Sequence, residues 1–324
     1  MNFSRFAQTV LFASLFLCTL VNNTLEAQVK LSEFNSSYFQ ALGARNLGPS
    51  TMSGRVSSIV GAVQEGQVNL YVGTAGGGIW KSLNGGYTFT SVFDKYCQSI
   101  GALALDPKSP RTIYAGTGES NMRNSVSIGD GIYKSTDAGA NWQKLGLDST
   151  EHISKILINP SDNKNLLVAV PGPLWSSSKH RGLYESKDAG KTWNKILYVD
   201  ENTGCADIAQ SPRDPNIIFA SFWQFRRQPF SFASGGKGSA LYKSVDGGKT
   251  WKKLINGLPE GELGRIVLSI NPSKPSELLS IVEAKVPGLY LSGDEGETWK
   301  KLASTDNITA RPFYFSTLEF DPKD

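Results

Sequence analysis

Cysteine and histidine are scarce: three Cys and two His in 324 residues. That is too few for a disulfide framework or for a Cys/His metal centre at ligand spacing. There is no G-x-S-x-G, no H-E-x-x-H, no Walker loop and no Cys/His pair in a nucleophilic context, so hydrolase, metalloprotease and nucleotide-phosphate chemistries of those types are not indicated. No cofactor or metal is implied. Charge of one sign is also lacking: 33 basic residues stand against 29 acidic ones, which makes no global case for nucleic acid or a membrane surface. The apolar run Val10 to Val21 is too short to span a bilayer, and no second such run follows.

That run suits an export signal instead. Arg5 is the only charge before it and Ala27 is a plausible last residue before cleavage, giving a signal over 1–27 and a lead-in over 28–53. The expected location is secreted, periplasmic or cell-surface, with no transmembrane segment after cleavage.

What the chain has in quantity is glycine, 33 residues, and a repeated octet. The octet S-x-D-x-G-x-T-W appears as Ser244 to Trp251, Ser135 to Trp142, Ser186 to Trp193 and Ser292 to Trp299, with a degenerate copy from Ser82 to Phe89. The serines are 53, 51, 58 and 48 residues apart, a period proper to propellers and arrays. Each copy follows a short apolar strand, such as Gly131-Ile132-Tyr133-Lys134. The acidic position (Asn84, Asp137, Asp188, Asp246, Asp294) can accept backbone N–H bonds within a tight turn. The glycine supplies positive φ or close approach, and the closing Trp or Phe buries a large surface. These five residues read as structural.

Each repeat reads as four strands. In the second, Ile100–Leu105, Thr112–Gly116, Gly131–Ser135 and Trp142–Leu145 are separated by a turn at Asp106-Pro107, a longer loop, and the octet. Radial repetition of four-stranded units gives an all-β propeller. The repeats fill residues 54–324: five units, then Phe315 to Asp324, which reads as the first strand of a sixth stopping inside its first turn, so the expectation is an incomplete ring, truncated at the C-terminus, whose remaining blades are partners. Cys97 and Cys205, two repeats apart, are too distant to pair and read as free thiols.

The octet is similar to the Asp-box of bacterial-neuraminidase-type repeats, found in sialidases, xyloglucanases and sortilin-like propellers. Arg45-Asn46-Leu47-Gly48-Pro49, Gly54-Arg55, Gly73-Thr74-Ala75-Gly76-Gly77-Gly78-Ile79-Trp80 and Gly116-Thr117-Gly118-Glu119-Ser120 resemble a large secreted bacterial family of sortilin-like propellers, often labelled glycosyl hydrolases. The resemblance covers the chain after about residue 38. It implies that function sits on the face opposite the Asp-box turns, in the loops between second and third strands.

Three of those loops are long. They run from Gly118 to Asp130, from Pro171 to Arg181 and from Trp223 to Lys237, and they carry Arg123, Asn124, Trp175, Lys179, His180, Arg181, Trp223, Phe225, Arg226, Arg227 and Phe230. Guanidinium groups bind carboxylates and sulfates in a two-pronged fashion. Aromatic faces stack on sugars or hold peptide side chains. The combination suits a glycan, peptide or protein ligand, and the first reading is an extracytoplasmic binding module. The plainer alternative is that the aromatics pack their own loops and the arginines are solvated.

The second reading is a glycoside hydrolase. Glu119 is the candidate acid, with Asp130 and Asp207 the nearest second carboxylates in sequence terms. Its structural alternative is an ion pair with Arg55 or Arg123. Sialidase-like enzymes carry an early Arg-Ile-Pro, absent here. Xyloglucanase-like enzymes place an Asp where the resemblance puts Ala75, which cannot act as a base. His152, opening the third repeat, reads as a packed, satisfied residue. A structural or assembly-factor propeller is a third reading that only a partner would separate from the first.

Overall fold

The computed structural model describes residues 54–64, 66–124, 126–304 and 311–321. The export signal, the lead-in and the Arg45 to Pro49 motif lie outside them. Among the described residues, five antiparallel sheets follow one another. The first is Val56–Gln64, Gln67–Thr74, Ile79–Ser82 and Thr90–Ser91 (β1–β4), and the second Ile100–Asp106, Ser109–Thr117, Ile132–Ser135 and Gln143–Lys144 (β5–β8). The third is Lys155–Ile158, Leu166–Val170, Gly182–Ser186 and Asn194–Leu197 (β9–β12). The fourth is Thr203–Gln210, Ile218–Gln228, Ser231–Ser234, Ala240–Ser244 and Lys252–Leu254 (β13–β17). The fifth is Ile266–Ile270, Leu278–Val282, Gly288–Ser292 and Lys300–Ala303 (β18–β21). Each is a four-strand meander, the blade of a β-propeller; β15 is an extra strand paired to β14.

The cores lie between blades. Tyr71 and Ile79 of the first pack on Leu103, Ile113 and Trp142 of the second. Three further clusters join the second to the third, the third to the fourth and the fourth to the fifth. A strand with one face toward each neighbouring blade is apolar on both faces, which explains the near-continuous hydrophobic runs of β5, β10 and β13. The innermost strands β1, β5, β9, β13 and β18 line a central cavity of about 270 Å³ together with Ser316 to Glu319. Ser316 to Glu319, within the strand expected from Phe315 onward, therefore stand where a sixth innermost strand would. A four-residue helix covers Pro312–Phe315 and residues 316–321 belong to no sheet.

The octet turns share one hydrogen-bond plan. At Asp246, Oδ1 accepts from Ser244 Oγ (2.8 Å) and Thr250 N (2.9 Å), and Oδ2 accepts from Thr250 Oγ1 (2.6 Å). Ser244 Oγ accepts in turn from Gly248 N at 2.8 Å. Asn84 keeps the plan without a charge: its Oδ1 accepts from Ser82 Oγ and Thr88 N, and its Nδ2 donates to Thr88 Oγ1 at 2.9 Å. The fixed glycine packs against the preceding blade: a Cβ on Gly190 would sit 2.5 Å from Leu145, and one on Gly248 2.8 Å from Ile196.

Positive φ extends to the residue before that glycine. Ala138, Ala189 and Glu295 hold φ of 64°, 62° and 57°, and Gly247 holds 71° in the same place. The two glycines of one turn should therefore respond differently. Gly247→Ala is expected to cost about 1 kcal/mol, the strain its alanine counterparts already carry. Gly248→Ala adds a collision with Ile196 and is expected to cost about 3 kcal/mol. Urea unfolding of both variants checks this; equal losses would defeat it.

Candidate ligand-binding face

The long loops are packed against each other before anything else. Met122 from the first, Leu174 from the second, and Trp223 and Phe225 from the third are buried in one cluster, with Phe232 and Phe313 against it. The Trp223 to Lys237 stretch is not a loop for most of its length. β14 runs on through Phe225 to Gln228, turns at Pro229-Phe230, and returns as β15 with Gln228 opposite Ser231. A two-residue turn closes a hairpin whose inward aromatics bury their faces, which is the alternation of a strand rather than of a loop.

Several residues expected to face a ligand are struts instead. Trp223 is buried, 4.4 Å from Phe225 between ring centroids. Arg181 is buried as well; its guanidinium lies 4.6 Å from the Phe225 centroid and donates to the carbonyls of Pro171, Pro173 (2.5 Å), Ser176 (3.1 Å) and Glu201 (2.9 Å). Burial pushes Arg181 down to about 10, still protonated at neutral pH. Arg226 ties the second loop to the Asp200–Asn202 turn, donating to Trp175 O, Ser177 Oγ and Asn202 Oδ1. Trp175 and Phe230 are exposed and His180 is half-buried.

Arg123, Asn124 and Arg227 do come together. They line an open cavity of about 540 Å³ with Arg311, Phe232, Phe313, Tyr314, Ser234 and Glu283. Arg227 stacks on Phe232 at 4.4 Å. Arg123 lies over Tyr314 at 5.5 Å and donates to its hydroxyl at 2.9 Å. Glu283 is the one carboxylate of the wall, and its Oε2 already accepts from Ser234 Oγ and Arg265 N, both at 2.7 Å. Three guanidinium groups thus face one committed carboxylate, and desolvation pushes Arg227 below its ordinary value. A cavity so built favours an anion with an apolar body beside it. Arg311, Phe313 and Tyr314 were not legible as wall residues, because the stretch reads as the approach to a strand; Glu283 sits in what reads as a short turn.

The carboxylates weighed for catalysis are tied down. Glu119 is wholly buried and takes a two-pronged ion pair from Arg55, Nε to Oε1 at 2.6 Å and Nη2 to Oε2 at 2.5 Å. Asp207 accepts from Lys155 Nζ (2.8 Å), Ile208 N and Leu268 N. Asp130 accepts from the Tyr133 hydroxyl at 2.6 Å. Cys97 and Cys205 are free, and among the described residues no three His, Cys, Asp or Glu are grouped to hold a metal.

His152 is packed but not satisfied: it is fully buried, and neither ring nitrogen makes a hydrogen bond of normal geometry among the described residues. Desolvation pushes it down to about 4, only partly offset by the nearby backbone of Glu119 and Gly118. The folded state resists a proton that the unfolded state takes near pH 6.5. Stability is therefore expected to fall by roughly 3 kcal/mol between pH 6.5 and 4. Asp137, Asp188, Asp246 and Asp294 act below that. Side-chain and backbone donors hold each at about 2, so their contribution is present above pH 4 and is lost as pH falls toward 2. Urea unfolding across pH 7 to 2 should show both limbs. His152→Phe should flatten the upper limb alone, and an unchanged upper limb would refute the assignment.

Comparison with known proteins bears on the fold first. Residues 77–228 match the family model "Sortilin-Vps10: Sortilin, neurotensin receptor 3". A xyloglucanase of Paenibacillus sp is 27% identical over 183 residues, 51% of this chain and 17% of the relative. A probable oligoxyloglucan-reducing end-specific xyloglucanase of Neosartorya fischeri is 25% identical over 223 residues, 57% of this chain and 25% of the relative. The crystal structure of a GH74 xyloglucanase from Xanthomonas campestris superimposes with a TM-score of 0.55 at 19% identity, covering 76% of this chain and 38% of that one. The chain thus spans a quarter or less of the length of these curated relatives. No helix among the described residues is long and apolar enough to cross a membrane.

Proposed function

We propose that this sortilin-like Asp-box propeller is an extracytoplasmic binding module that captures an acidic peptide, protein or glycan on its long-loop face. The observation that carries the reading is the convergence of Arg123, Arg227 and Arg311 on one aromatic-walled cavity. Charge-assisted contacts from such a set are strong and directional, and Phe232, Phe313 and Tyr314 offer a face for a sugar ring or an aliphatic side chain. The residue best placed by sequence to be an acid, Glu119, is spent on Arg55.

The test is a glycan and peptide array with the secreted full-length protein, followed by product analysis on any hit. Ligand recovered intact, with affinity lowered at least about tenfold in Arg123→Ala/Arg227→Ala, supports the module. Binding should also weaken with salt, since the cavity is open.

Similarity to xyloglucanases favours a second reading, a glycoside hydrolase. Against it, Ala75 stands where the resemblance would require an acid, and it is buried in a glycine turn whose Thr74 Oγ1 bonds Gly78 O. Cleaved glycan, with turnover lost in Glu119→Gln while folding is retained, would replace the first reading with this one.

A further inference from the structure

The hairpin inserted in the fourth blade has one outward edge. In an antiparallel pair, successive residues turn their main-chain groups alternately toward the partner strand and away from it. Gly235 N donates to Gln224 O at 2.9 Å, toward β14, and Gly236 N donates to Leu263 O at 3.1 Å, away from it. Counting back along β15, Ser231 and Ala233 turn toward β14, and Phe232 and Ser234 turn outward. Arg227, opposite Phe232, agrees: its N–H bonds Leu174 O at 3.0 Å rather than β15. Among the described residues, the main-chain N–H and C=O of Phe232 and Ser234 take no bond. An open strand edge is a template for another strand, and neither position is blunted by a charge or a proline.

This edge borders two cavities. Phe232 and Ser234 line the hollow of Arg123, Arg227 and Arg311. Ser234 and Glu283 also line a second open cavity, of about 550 Å³, with Gly235, Glu260, Glu262 and Lys285. Glu260 and Glu262 are exposed. The edge therefore leads from a basic hollow at Phe232 to one at Gly235 where these two glutamates stand against one lysine. Phe232 is held in place by its ring, which packs on Trp223 and Phe313, so little ordering is left to be lost on binding.

We propose that the ligand of this face is an extended peptide that adds to β15 as a further strand, with an acidic side chain among Arg123, Arg227 and Arg311 and a basic one beside Glu260 and Glu262. This rests on the reading of the long-loop face as a ligand site and chooses peptide over glycan. A sugar has no row of alternating N–H and C=O groups to meet Phe232 and Ser234, whereas a peptide main chain does. Those bonds supply affinity whatever the sequence, and the two hollows of opposite charge select it. β15 is four residues long, and a strand rises ~3.3 Å per residue, so the two charged side chains are set about three to five residues apart.

The experiment uses the full chain and an array of short peptides carrying one Asp and one Lys at those spacings, in both orders, beside peptides with two Asp or two Lys and beside acidic glycans. The mixed-charge peptides should bind at least about tenfold more tightly than either single-charge set, and Arg123→Ala/Arg227→Ala should remove that advantage. N-methylation of alternate peptide amides should cost at least about tenfold while the intervening amides tolerate it, since only every second amide of an added strand faces β15. Hydrogen exchange should slow at the Phe232 and Ser234 amides. The methylation arm alters the peptide alone, so it stands whether or not the double variant folds. Peptide bound with the arginine dependence, but with no alternation on methylation and no protection at 232 and 234, would overturn strand addition and leave the ligand-binding reading in place. So would an acidic glycan bound with the same dependence where no peptide binds. Binding indifferent to Arg123→Ala/Arg227→Ala in a variant with an unchanged melting curve would defeat that reading and this proposal together.

Discussion

Arg55→Met is expected to destabilise the protein by about 3 kcal/mol, the low end for a broken buried pair. The physical reason is asymmetry of burial. The Arg55 side chain is 32% exposed and loses little by being absent, whereas Glu119 is 0% exposed and is left as an uncompensated carboxylate. Glu119 has no freedom to find water, because its own N–H bonds Ser99 Oγ at 2.9 Å and Gly118 N bonds Ser99 O at 2.7 Å, which pins the segment. Gly118 adds to this: at φ 85° a Cβ there would meet Glu151 O at 1.8 Å. The pair spans 64 residues, joining the entry to the first blade with the rim of the second. Arg55→Met/Glu119→Met should recover most of the loss, since two apolar groups need no pairing. The double-mutant cycle by urea unfolding separates this from simple loss of packing. A double variant as weak as the sum of the singles would sink the account.

Local chemistry was the legible part. An Asp-box closes within seven residues, so Ser186, Asp188, Gly190 and Thr192 can be read as one turn without knowing what surrounds them. Four-strand repetition followed from the same spacing. Exposure of the loop residues was not legible, because it depends on which loops meet. Trp223 and Arg181 have the composition of a ligand surface, but Trp223 is buried among Met122 and Leu174 from two other blades, and Arg181 is buried against Phe225 of the fourth blade. The hairpin at Gln228 to Ser231 was hidden by its arginines: Arg226 and Arg227 broke the apolar pattern that marks a strand. The cavity was half legible. Arg123 and Arg227 carry their charge in plain view, but Tyr314 reaches Arg123 from 191 residues away and Arg311 lines the same wall, a meeting that no local pattern announces.

Arg181→Met should cost about 3 kcal/mol and should loosen the 171–181 loop specifically. The guanidinium is an unusual strut: it is buried and bonded to four carbonyls rather than to a carboxylate. A methionine fills the space over Phe225 but leaves Pro171, Pro173 and Ser176 carbonyls without donors, each worth about 1 kcal/mol or more when buried. Arg181→Lys cannot rescue this, because one ammonium has three donors and no planar fork to span acceptors on both sides of the loop. Gly172 makes the arrangement testable by coupling. It holds φ 78°, and a Cβ there would lie 2.4 Å from Arg181 Cγ, so Gly172→Ala both strains the backbone and expels the arginine. In the double variant Gly172→Ala/Arg181→Met the expulsion is counted once, and the combined loss should fall about 1 kcal/mol or more short of the sum. Hydrogen exchange should then show faster opening at the second loop while the interblade strand Leu166–Val170 stays protected. Strict additivity, or exchange spreading through the third blade, would mean that Arg181 supports the blade and not the loop. If the loop alone loosens, the wall of the ligand cavity keeps Arg123 and Arg311 while losing its anchor for Arg227, whose N–H bonds Leu174 O at 3.0 Å. Affinity for an acidic ligand should then drop without any change at a cavity-lining side chain.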